Sequence, residues 1–205
     1  ECEYKFNPRA STFTISQVSA LIAETIKKYD ADVLNQFTGV YRQSRLTSLI
    51  DQTDPGITSS IIRTSMYKSF VPNSTKLERY EIDFPVQLYQ TSSTESVTNS
   101  DVFLLDGRTV QLLDEPSSVG SILRSLYIFD VATQTKVTSY GDIGYVDPVN
   151  SKIVIQNFIF DNSNRINICA RPNTFDITPK YNQLLNLLSG DITVTGDDDT
   201  VALYS

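Results

Sequence analysis

Carboxylates are the side chains best placed to do chemistry in this 205-residue chain, because it contains no histidine. That absence removes the commonest general base, the commonest metal ligand and every Ser-His or Cys-His nucleophile arrangement. Gly196-Asp197-Asp198-Asp199 sets three acids in a row, a pattern that serves either a cation cluster or the Gly-Asp-Asp turn of a polymerase. Both uses need further ligands or phosphate-binding cations, and none stands nearby in the sequence. The reading preferred for this segment is a hairpin turn between residues 192–195 and 200–204. Ser65-Met66-Tyr67-Lys68 has the Ser-x-x-Lys spacing of penicillin-binding enzymes, but the companion Ser-Asp-Asn and Lys-Thr-Gly elements are missing. Asn73-Ser74-Thr75 forms a glycosylation sequon that reads better as an ordinary turn, since no secretory signal accompanies it.

A second group of polar residues carries no reaction. Arg42, Arg45, Asp51 and Asp54 cluster around one short segment, where the default is a solvated surface or a local ion pair of small energetic value. Tyr29, Tyr41 and Tyr67 are of a type favoured at protein interfaces, while core packing is the ordinary use of periodic aromatics. These seven residues are the candidate interface positions. No catalytic residue, cofactor site or metal site is expected.

Composition limits the partners. Lys and Arg number 17 against 24 Asp and Glu, for a net charge of -7. No basic cluster exceeds Lys27-Lys28, which argues against nucleic-acid binding. No stretch has the apolar length of a membrane helix. The two cysteines, Cys2 and Cys169, do not make a disulfide framework and are expected as free thiols. A start at Glu1-Cys2-Glu3-Tyr4, with neither methionine nor signal peptide, suggests a piece of a longer chain.

The elements that must position these residues begin with a helix. Thr14-Ile15-Ser16-Gln17 reads as a capping box, with Phe13 and Val18 as its hydrophobic staple. Ile15, Val18, Ile22, Ile26 and Tyr29 then repeat at a helical period, which predicts a helix over residues 15–28. Residues 30–37 extend it by a turn or a short second helix with Val33, Leu34 and Phe37 inward, ended by Gly39. Another short helix is expected over residues 44–52, capped by Ser44 and closed by the turn Asp54-Pro55-Gly56.

From Ile57 the pattern turns to strands. One long strand is expected over residues 57–70, pairing as a hairpin with a second whose Tyr80, Ile82, Phe84, Val86 and Leu88 share a face. Pro85 puts that second strand at an edge or a bulge. Asp106-Gly107 between two apolar runs predicts a tight hairpin. Further strands are expected at 122–131, 136–140, 152–160, 165–171 and 191–195, and 180–188 reads as either helix or loop. The polar stretch 91–100 is taken as the connection between a helical segment plus hairpin, 1–90, and a mainly antiparallel β substructure, 101–205. The fold class is therefore α+β and β-rich: amino-terminal helices packed on an antiparallel sheet, followed by a second β substructure.

Several segments carry a resemblance in shared order. They are Leu34-Asn35-Gln36-Phe37, Tyr41 to Leu46, Leu49 to Asp54, Tyr80 to Val86, Ile143 to Asp147, Ser151 to Ile155, Ala170 to Asn173 and Asp176 to Gln183. Together they resemble the carboxy-terminal region of the baseplate wedge protein of T-even-type contractile-tailed phages, a relative of the baseplate J-like proteins. The resemblance implies a structural virion protein of the tail baseplate, assembled in the host cytoplasm and not an enzyme. Its partners would be a second copy of itself, as a homodimer, and the neighbouring wedge subunits. A receptor- or carbohydrate-binding β domain of the tail is the alternative.

Overall fold

A computed structural model describes residues 1–161, 164–179, 184–187 and 189–199. Along the chain run β1 (Cys2–Phe6), α1 (Ile15–Tyr29), β2 (Tyr41–Arg42), α2 (Gln43–Asp51) and β3 (Ile57–Ile62). There follow β4 (Met66–Phe70), β5 (Glu78–Asp83), β6 (Thr98–Ser100), β7 (Phe103–Leu105), β8 (Arg108–Pro116) and β9 (Arg124–Asp130). The last are β10 (Thr135–Lys136), β11 (Asp142–Asp147), β12 (Lys152–Phe158), β13 (Ile166–Ala170), β14 (Asp176–Ile177) and β15 (Val194–Asp198). The chain forms two compact units, one of residues 1–64 with 175–205 and the other of residues 65–174. The connection expected at 91–100 therefore lies inside the second unit, and the chain passes between units after Thr64 and after Thr174. Among the described residues no helix is long and apolar enough to cross a membrane.

In the first unit, α1 starts as its sequence requires. The Thr14 hydroxyl accepts the Gln17 amide, and the Gln17 side chain accepts the Thr14 amide at 2.9 Å. Two amides that the helix leaves unpaired are thereby satisfied. Val18, Ile22, Ile26 and Tyr29 are buried, the face that the periodicity marks. Phe13, expected to staple the entry, is 44% exposed. Residues Asp30–Leu34 make one widened turn in which the Asn35 amide reaches back to the Asp30 carbonyl. Leu34 is buried there, whereas Phe37 is 82% exposed. The reason is the tight return at Gly39, where a Cβ would stand 2.3 Å from the Leu34 carbonyl oxygen.

The sheet of this unit has the order β15-β1-β3. It is mixed, with β3 antiparallel and β15 parallel to β1, which corrects the antiparallel expectation. It also corrects the reading of residues 196–199 as a hairpin turn. Gly196, Asp197 and Asp198 are strand residues beside Tyr4, Lys5 and Phe6. Gly196 lies against the Tyr4 ring, which leaves no room for a larger side chain. Residues 200–204 lie outside the described ones, as do 180–183 and 188; residues 184–187 have no regular structure.

The second unit holds a sheet of ten described strands, ordered β4-β13-β6-β8-β9-β11-β12-β5 with β7 on β8 and β10 on β9. The long strand expected over 57–70 is thus two strands in two sheets, broken at residues 63–65. The hairpin expected with residues 77–88 does not form either, since β4 pairs with β13 and β5 with β12. β4 and β5 end the order, yet the rings of Phe70 and Tyr80 meet at 5.0 Å and Phe160 packs on both. Aromatic contacts, in place of a ladder, bring the sheet almost closed. The Asp106-Gly107 hairpin forms as expected: both residues have positive φ, 49° and 72°, and join β7 to β8. Residues 136–140 yield only the short β10 and a 3-10 turn at Thr138–Tyr140.

Inside this unit lies a wholly buried pair, Arg124 and Asp114. The guanidinium donates to Asp114 and to the carbonyls of Thr91 at 3.0 Å, Ser93 at 3.1 Å and Glu95 at 2.6 Å. The other Asp114 oxygen accepts the amides of Val97 at 3.0 Å and Thr98 at 2.7 Å. The polar segment 91–98 is therefore fastened to β8 and β9 by charge-assisted bonds in a dry interior.

Candidate assembly surface

Three sequence candidates turn out to build this surface from beneath. Tyr29 and Tyr41 are 2% and 4% exposed, their rings edge to face at 6.3 Å. The Tyr29 hydroxyl accepts the Arg42 amide at 3.0 Å and so fixes where β2 passes into α2. Asp54, 3% exposed, accepts the Ser11 hydroxyl at 2.9 Å and the Gly56 amide at 2.7 Å, closing the turn after α2. All three are framework residues, so core packing wins over exposure for both tyrosines. Tyr67 belongs to β4 of the second unit and is 44% exposed.

α2 itself presents the surface. Leu46 and Ile50 are its buried anchors, and the Gln43 side chain donates to the Ile62 carbonyl at 3.1 Å. Its cap differs from the expected one. The helix begins at Gln43 with Arg42 at the cap position, and no side chain caps it. The Gln43 amide donates instead to the Phe175 carbonyl at 3.1 Å, a main-chain group doing what Ser44 was expected to do. Antiparallel pairing of β14 with β2 holds Phe175 beside this helix start. Asp51 accepts the Ser60 hydroxyl at 2.6 Å from the neighbouring β3.

The outer face carries Ser44, Arg45, Ser48, Leu49, Asp51 and Gln52, all exposed. Alongside it runs an open groove of about 550 Å³ lined by α2 residues and walled by Phe175, which is 75% exposed. No ion pair among the described residues joins Arg42 or Arg45 to Asp51 or Asp54. Arg45 and Asp51 stay exposed, Asp51 while holding the Ser60 hydroxyl. Phe175 escaped the sequence reading; its only signal is a lone aromatic between turn residues, more than 120 positions from α2.

Cys2 is buried and its thiol is pushed up to about 11 by that burial, so it is protonated and unreactive at neutral pH. Neither Cys2 nor Cys169 is in a disulfide. Among the described residues no group of three or more Cys, Asp or Glu side chains is placed to hold a cation.

Residues 1–69 match the family described as baseplate structural protein gp6, C-terminal domain III. No curated protein matches the chain. The matched third of the chain contains α1, α2 and β3, hence the helix that presents the exposed face. This similarity supports a structural role in a phage baseplate and a place in the virion. The β-rich fold, with two α-helices among the described residues, agrees with the α+β class expected from the sequence.

Proposed function

We propose that this chain is an assembly module of a contractile-tail baseplate wedge, binding a second copy of itself and neighbouring wedge subunits, with no enzymatic activity of its own. The observation that carries this reading is the exposed α2 face with its Phe175 wall, in a unit whose amino-terminal part resembles a baseplate structural domain. A large exposed aromatic is costly to leave in water, and an aromatic beside exposed charge is a common composition of a contact surface. The role is mechanical: rigid β units held by interfaces transmit a change of shape through the ring when the sheath contracts.

The test is light-scattering mass of the purified chain over a concentration series, followed by reconstitution with the other recombinant wedge proteins. Self-association or incorporation into a wedge complex is expected. A strict monomer that also fails to join any wedge protein overturns the proposal, and specific binding on a glycan array in its place would favour a receptor-binding domain.

A further inference from the structure

α2 has the charge order of a helix that pairs with itself. Arg45 lies near its start and Asp51 at its end, six residues or about 9 Å apart along the axis. Their midpoint is Ser48. On a helical wheel, at about 100° per residue, Arg45 and Asp51 flank Ser48 by about 60° on either side. Ser44 and Ser48 are small and exposed, which permits close approach of a second helix. We infer that α2 is a two-fold self-docking helix: two copies pair antiparallel across Ser48, so that each Arg45 reaches the Asp51 of the other copy. This rests on the self-association proposed above and names its surface.

Parallel pairing is disfavoured by the same charges, since it sets Arg45 against Arg45 and Asp51 against Asp51. The antiparallel arrangement is isologous, as a closed two-fold dimer requires. Leu49 and Phe175, 37% and 75% exposed, supply the apolar part, with the ring of each copy lying along the groove of the other. The area is modest. A nine-residue helix is about 13 Å long, too short to bury the roughly 800 Å² per partner of a stable dimer, so the contact is weak in solution and strengthened where copies are held close together.

The experiment uses the full chain with Cys169 replaced by Ser throughout. Ser48→Cys is expected to give an intermolecular disulfide under mild oxidation, because the two-fold axis brings the position against itself. Lys28→Cys, exposed on α1, is the control that stays monomeric. In sedimentation equilibrium, Arg45→Glu and Asp51→Arg each weaken association about tenfold, and the double variant restores it to within a few fold. If the unsubstituted chain associates but Ser48→Cys does not cross-link and the double variant does not recover, α2 pairing is overturned while self-association stands. If the chain remains monomeric at every concentration and Ser48→Cys fails to cross-link, both fall.

Discussion

Replacing Arg124 with Met removes a buried cation while keeping most of its volume. In the second unit this strands the Asp114 carboxylate in an interior where both side chains are fully buried. It also leaves the carbonyls of Thr91, Ser93 and Glu95 without the bonds they accept at 2.6–3.1 Å. Breaking one partner of a buried ion pair costs about 3–5 kcal/mol. Water can reach segment 91–96 once it loosens, which limits any further loss from the carbonyls, so about 4 kcal/mol is expected. With a urea slope of about 1.5 kcal/mol/M, the unfolding midpoint of this unit falls by about 2.7 M. Hydrogen exchange supplies the local readout: the Val97 and Thr98 amides, both donating to Asp114, lose protection ahead of β8 and β9. A stability change below about 1 kcal/mol, with those two amides still protected, would refute the claim that this pair fastens the segment.

Three further outcomes are expected. Thr98 buries a hydroxyl with no hydrogen-bond partner, so Thr98→Val raises stability by about 1 kcal/mol, and a lower urea midpoint would contradict it. Gly144→Ala places a Cβ 2.0 Å from the Val154 carbonyl oxygen across the β11–β12 ladder, costing about 1–3 kcal/mol and visible as a lower Tm; an unchanged Tm refutes the close approach. Because burial raises the Cys2 thiol to about 11, the thiolate population at pH 8 is small, and a thiol reagent modifies Cys2 only in denaturant or near pH 11. Rapid modification of Cys2 in the native chain at pH 8 would show that the thiol is neither buried nor shifted.

Local signals in the sequence were enough wherever neighbours along the chain decide the outcome. The Thr14–Gln17 box and the period through Tyr29 specify α1, because a helix is closed by bonds between residues three or four apart. Asp106-Gly107 specifies its hairpin, because the turn alone demands positive φ at both positions. Of the alternating face Tyr80, Ile82, Phe84, Val86 and Leu88, three residues are buried and Tyr80 and Val86 are half-buried, although β5 itself ends at Asp83. The absence of histidine removes whole classes of catalysis without any structure.

Tertiary structure decided the rest, by contacts between residues distant in sequence. Residues 57–70 carry a continuous strand pattern, and only the choice of partner, β1 for one part and β13 for the other, breaks them at 63–65. Gly196, Asp197 and Asp198 read as part of a turn until β1 recruits them into a parallel strand, a pairing with no local signature. Arg124 shares a strand face with the buried Leu126 and Ile128, and a cation is held there only because Asp114 and three carbonyls from segment 91–95 enclose it. Above all, the α2 face becomes a groove only because β14 delivers Phe175 to it. Side-chain types and spacing encode the elements, whereas which surfaces remain uncovered depends on packing across the whole chain.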